Sequence, residues 1–202
     1  MGLVVYGQSQ SRAVRALWMA EELGVPYEHN ALKFKDAHQA TDLRAINPYA
    51  RVPAIDDDGV GVFESMAINL YLAKRYGGEL APATLEEEAS ALQWSFFVMT
   101  EIEKTLLNAM CYQLGLFDLP VDPEKAQRLG ASLDPAFDAL ARALGEEDYL
   151  VGGRFTVADL NVASVLLWVR MAKLDISHHP RLDSWLTRCL AREALHRAQK
   201  LA

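Results

Sequence analysis

A few short stretches of this chain hold residue types that do chemistry as well as packing. The polar loop Gln8-Ser9-Gln10-Ser11 precedes a segment with helical apolar spacing. A serine hydroxyl there either caps the helix or donates a hydrogen bond to a ligand thiolate. A free thiol has a pKa of about 8.5, and hydrogen-bond donors at a helix start favour the charged, nucleophilic form. In that role serine stabilises the anion and does not act as a base. Val52-Pro53 heads an apolar run, with Asn47-Pro48 just upstream. A proline there removes a ladder donor. It is either a trans residue on an edge strand or a cis bond that turns the Val52 N–H and C=O outward to pair with an extended ligand. Glu64-Ser65 opens another helical segment. Ser65 reads as an N-cap, with Glu64 near the positive end of the dipole. The same pair also suits an α-amino-acid group: helix N–H groups and the Ser65 hydroxyl for its carboxylate, Glu64 for its ammonium. Thr156-Val157-Ala158-Asp159 is a capping-box variant and reads as structural.

Other chemistries are excluded on composition. The 202 residues carry a net charge of −7, and Lys and Arg are scattered singly, which argues against a nucleic-acid partner. Cys111 and Cys189 stand alone, outside any zinc or disulfide spacing, so a reducing, cytoplasmic location is expected. His178-His179 before Pro180 lacks neighbouring ligands in sequence and reads as a solvated loop, so no metal is expected. The N-terminal residues lack the pattern of a signal peptide, and no run approaches the roughly 20 apolar residues of a membrane helix.

The elements that must position these residues follow from periodicity. Leu3–Tyr6 predicts a buried strand, and Val14, Leu17, Trp18 and Leu23 predict a helix ending at Gly24. A second strand starts near Val25 and reaches about Leu32, and residues 35–44 form a polar stretch. Residues 52–55 and 61–63 predict two more strands around the hairpin signal Asp57-Asp58-Gly59. A helix follows from Glu64-Ser65 to Gly77-Gly78. The order is βαβ then ββα. Beyond it the pattern becomes all-helical, with helices predicted at about 86–114, 123–145, 156–172 and 181–200. The predicted organisation is a domain over 1–78, a linker over 79–85 and an all-α domain over 86–202.

Several of these stretches, taken in order, resemble the soluble glutathione transferase superfamily over essentially the whole chain. Ser11 to Trp18 and Glu21 to Glu28 look like the first helix and second strand of bacterial members. Asn47-Pro48, Val52-Pro53 and Glu64-Ser65-Met66-Ala67-Ile68 look like the glutathione-site pattern, and Tyr149 to Asp159 is similar to the C-terminal hallmark. The resemblance implies a thioredoxin-like N-terminal domain with cis Pro53, an all-helical second domain and a homodimer. It implies glutathione as co-substrate, with no metal.

Roles carry over residue by residue. Val52 pairs with the cysteinyl backbone, Glu64 and Ser65 hold the γ-glutamyl end, and His38, placed as in theta-like members, binds the glycyl end with Arg51. Ser11 matches the serine-type catalytic position best, with Ser9 in reserve. Tyr6 lies within the strand, unlike the residue of tyrosine-type enzymes, and the Gln8–Ser11 loop has no cysteine. Ala50 and Arg51 stand where many members have glycine and then Lys or Gln. The implied activity is attack of the glutathione thiolate on a small hydrophobic electrophile. Its pocket would be lined by Trp94, Phe97, Val98, Glu101 and Tyr112, residues that otherwise read as core. A glutathione-dependent peroxidase, isomerase or dehalogenase is an alternative on the same scaffold, and a non-catalytic protein-interaction module is one from another class.

Overall fold

In the computed structural model, which describes residues 2–202, the apolar run Leu3–Tyr6 becomes β1, with Leu3 and Val5 buried. Its parallel partner is β2 (Tyr27–Asn30), and the crossover that parallel pairing requires is α1 (Ala13–Leu23). Helix α1 ends at Gly24, whose φ of 64° suits a left-handed C-terminal stop. β3 (Ala54–Asp57) runs antiparallel to β1, and β4 (Val60–Phe63) antiparallel to β3, giving the sheet order β2-β1-β3-β4. Asp58 and Gly59 take φ of 51° and 89° in the two-residue turn between them.

The stretch expected to be merely polar forms a 3-10 turn (Phe34–Gln39) and the short helix α2 (Thr41–Ile46). Ala37 and Leu43 give these pieces one buried side, which anchors them although neither is long enough to be stable alone. The helix from Ser65 to Tyr76, α3, packs on α1.

The chain forms two compact units, residues 2–81 with Ala191–Ala202 and, separately, Pro82–Leu190. The expected single span 86–202 is therefore divided. Its last helix, α10 (Glu193–Gln199), packs on α1 in the first unit. Arg192 grips Glu22 with bonds of 2.6 and 2.7 Å, and Arg197 bonds Glu21 at 2.6 Å. Those glutamates also accept hydrogen bonds from Trp18 and Tyr27, at 2.8 and 2.7 Å. Charge complementarity between sequence-distant segments draws the tail back, and no local pattern announces it.

In the second unit, α4 (Leu85–Phe97) passes through a π turn (Val98–Glu103) into α5 (Lys104–Leu114). Next come α6 (Pro123–Ala131) and α7 (Asp134–Leu144), separated at Ser132-Leu133 where one longer helix was expected. α8 (Val157–Met171) is buried on nearly every side and forms the core, and α9 (Pro180–Leu190) packs on it. Among the described residues no helix is long and apolar enough to cross a membrane.

Candidate functional site

Gly7 ends β1 with φ of 120°, and its N–H donates to the Asn30 carbonyl at 2.9 Å. A Cβ at this position would lie 2.7 Å from that of Ala13 and 2.8 Å from that of Val52. Only glycine fits, so the loop carrying Ser9 and Ser11 begins directly against Val52. Ser9 is buried and committed, its hydroxyl donating to the Leu201 carbonyl at 2.5 Å and its N–H to that of Ala202 at 3.3 Å. Ser11 is half-buried. Its hydroxyl donates to the Gln8 carbonyl at 2.7 Å and accepts from the Ala13 N–H at 3.1 Å, beside the first turn of α1.

The Val52–Pro53 bond is cis. The Val52 side chain packs in a cluster with Ala37, Leu43 and Ala54, while its main-chain N–H and C=O bond to no other described residue. Buried Asn47 shapes the approach to it, donating to the Arg51 carbonyl at 2.8 Å and accepting from the Tyr49 N–H at 3.0 Å. Ala50 takes φ of 51° in this turn, a conformation that glycine adopts without strain. The Arg51 guanidinium lies 4.1 Å over the Tyr49 ring, and both side chains are exposed. His38 is also exposed, next to Ala37 of the Val52 cluster, and its Nε2 lies 3.3 Å from the Gln39 side-chain nitrogen.

At the start of α3 the expected cap shifts by one residue. Ser65 is the first helical residue, Glu64 occupies the cap position, and no side chain caps the helix. The reason lies in the backbone: Glu64 holds φ of 71°, a region costly for a side chain of this size. Such an outlier points to function when its side chain has no structural task. The exposed Glu64 carboxylate makes no hydrogen bond or ion pair with described residues. The Ser65 hydroxyl accepts a 3.3 Å hydrogen bond from Nη1 of Arg15, which is only 1% exposed. Arg15 escaped the sequence reading as a site residue. Its signal was a charge inside the otherwise apolar first turns of α1, Ala13 to Ala20.

The N-terminal glutathione S-transferase domain model matches residues 1–74, and the C-terminal glutathione S-transferase domain model matches residues 89–193. The chain belongs to the glutathione S-transferase family. It is 32% identical over 174 residues to the Fusarium glutathione S-transferase-like protein LUC7, covering 83% of this chain and 76% of that protein. It is 29% identical over 198 residues to mouse glutathione S-transferase theta-3, covering 93% and 82%. The solved structure of glutathione S-transferase-I bound with lactoylglutathione superposes with a TM-score of 0.87 at 25% identity, over all of both chains.

As in a glutathione S-transferase, the first unit has the mixed four-stranded sheet of the thioredoxin-like fold and the second is helical. In the second unit the Thr156 hydroxyl accepts from the Ala158 N–H at 3.3 Å. The Asp159 carboxylate accepts from the Thr156 N–H at 3.0 Å, the Leu150 N–H at 2.8 Å and Trp185 Nε1 at 3.0 Å. Burial pushes the Asp159 carboxyl above its usual range, against these bonds, which pull it down. Val98 is core, whereas Trp94 and Phe97 are half-buried with rings edge-to-face at 5.4 Å. His178 and His179 depart from the expected solvated loop: His179 is buried, and Asp134 of α7 meets both rings.

Proposed function

We propose that the chain is a glutathione transferase that raises the thiolate population of bound glutathione for attack on a small hydrophobic electrophile. The observation that carries this is the unbonded main chain of Val52, packed against Gly7 at the root of the serine loop. An extended tripeptide satisfies such a peptide group by strand-like pairing, the cysteinyl N–H and C=O meeting those of Val52. Its γ-glutamyl end then reaches the start of α3. There the uncapped helix N–H groups and the Ser65 hydroxyl take the carboxylate, and Glu64 takes the ammonium. His38 and Arg51 hold the glycyl carboxylate. Ser11 donates to the sulfur. Ser9 is the reserve, its proton being engaged by Leu201. Thr156 and Asp159 serve the fold.

With its charge stabilised, the sulfur uses an electron pair to form a bond to the electrophilic carbon. The leaving group departs with its own pair, or, in an addition, the substrate takes a proton from water. We assign the chain to a reducing, cytoplasmic setting and to a homodimer, as the family resemblance implies. The test is calorimetric titration with glutathione, together with thiolate absorbance of the bound tripeptide across pH. Saturable binding with a thiol pKa below that of free glutathione is expected. No binding would defeat the proposal, whereas binding with an unshifted thiol would leave a glutathione-binding module without activation chemistry.

A further inference from the structure

The second unit gathers a cluster that the transferase reading does not use. The segment before α9 brings His178 and His179 against Asp134, the first residue of α7. Nε2 of His178 lies 3.0 Å from Oδ1 of Asp134, and Nε2 of His179 lies 3.2 Å from that same oxygen. One ligand atom from each of the three residues lies within 4.8 Å of the other two. Asp138, one turn further along α7, places Oδ1 3.2 Å from Nδ1 of His179.

His179 is 5% exposed, so its ring is fixed. Phe137 stands edge-on to it at 5.8 Å. The His179 N–H donates to the Ile176 carbonyl at 2.9 Å, and its carbonyl accepts from the Asp183 N–H at 2.9 Å. Both ring nitrogens of this held imidazole face carboxylate oxygens. A neutral imidazole has one N–H, so one nitrogen would present a lone pair to a carboxylate. A cation between Nε2 and Asp134 removes that conflict. The lone pair then binds the ion, and Asp138, with Oδ1 3.2 Å from Nδ1, stands where an outer carboxylate orients a metal-bound histidine.

The spacing suits such an ion. Four ligands in a tetrahedron about 2.0–2.1 Å from zinc stand about 3.3 Å apart. The two N···O separations here, 3.0 and 3.2 Å, need only a small expansion. We propose that Asp134, His178 and His179 form a binding site for a divalent late-transition ion of the zinc type, with Asp138 as outer partner. The side chains of His178 and Asp134 are 52% and 42% exposed, which leaves the fourth position open to water. Two neutral imidazoles and one carboxylate favour zinc over magnesium or calcium, which prefer all-oxygen sets. Bound there, the ion ties the start of α7 to the segment entering α9.

The test uses the full chain without an affinity tag, stripped by chelator and free of glutathione, titrated with cobalt(II) and then competed with zinc. One equivalent should give visible ligand-field bands that zinc abolishes. His178→Ala and Asp134→Asn should lose them, Asp138→Asn should weaken binding about 10–100-fold, and His196→Ala should leave it unchanged. His178 is exposed, so that variant keeps the test alive if Asp134→Asn does not fold. No stoichiometric uptake, or uptake indifferent to His178→Ala, would overturn the proposal. The readout does not depend on transferase activity.

Discussion

Replacing Ser11 with alanine removes one hydroxyl beside the first turn of α1. That hydroxyl donates to the Gln8 carbonyl at 2.7 Å, so serving a thiolate means rotating away. It gives up a neutral hydrogen bond worth about 0.5–1.5 kcal/mol and forms a charge-assisted one worth about 1.5–3 kcal/mol. The net gain is about 1–1.5 kcal/mol, or about one pKa unit. The bound thiol of Ser11→Ala should therefore titrate about one unit higher than in the native chain, by thiolate absorbance at saturating glutathione. With an activated aryl halide, kcat/KM should drop about tenfold at pH values below both pKa values, and the gap should close where both forms are ionised. Ser9→Ala is the internal control. Its hydroxyl bonds Leu201, so the variant should lose thermal stability and keep the native thiol pKa. Equal pKa values in Ser11→Ala and the native chain would refute the assignment. A shift in Ser9→Ala alone would move the role to Ser9.

Other consequences are equally open to measurement. If Glu64 faces the ammonium as proposed, Glu64→Gln deletes that charge and should raise the glutathione Kd about 10–100-fold by calorimetry, from a charged bond worth about 1.5–3 kcal/mol; an unchanged Kd would remove Glu64 from the proposed site. Gly7→Ala would drive a methyl to within 2.7 Å of Ala13 Cβ and 2.8 Å of Val52 Cβ, so it should displace Val52 and abolish tripeptide binding even in folded protein. Asp159→Ala strands the N–H groups of Leu150 and Thr156 and that of Trp185, at about 1–3 kcal/mol each, so denaturant unfolding should show a loss of at least about 3 kcal/mol. The Arg154 guanidinium, with help from the Ala83 N–H, holds the Glu87 carboxyl down to about 2. The pair stabilises the fold above the ordinary glutamate range and loses that contribution as pH falls toward 2. The stability gap between the native chain and Glu87→Gln should therefore be largest near neutrality and close in acid, and a gap independent of pH would contradict it.

Strand and helix positions in the first unit were legible because their signals are local. Leu3–Tyr6 ends at a glycine, Asp58-Gly59 supplies the two positive φ values a tight hairpin requires, and Gly24 stops α1. α2 stayed hidden because its six residues form barely more than one turn, and a single buried leucine, Leu43, holds it. The π turn at Val98–Glu103 has no signature distinct from the helix around it. The return of residues 191–202 to the first unit rests on Arg192–Glu22 and Arg197–Glu21, pairs some 170 positions apart, and spacing carries no trace of them.

The same division runs through the site. Val52 stands out in sequence because the proline after it interrupts a strand, and Glu64-Ser65 because the pair opens a helix. That Ser65, read as the cap, is instead the first helical residue and leaves α3 without a side-chain cap shows only in the structure. Arg15 is different in kind. Its position in an apolar helical stretch breaks pattern, but only the packing of α1 on α3 reveals that the buried charge faces Ser65 at 3.3 Å. A buried arginine carries a large desolvation cost unless it is paired and hydrogen-bonded. A carboxylate held at Ser65, at the start of α3, would stand beside this guanidinium and be stabilised by its charge. Arg15→Met keeps most of the volume and removes that charge. It should therefore weaken glutathione more than it weakens a γ-linked analogue lacking the α-carboxylate, whereas equal losses on both would reduce Arg15 to a packing residue.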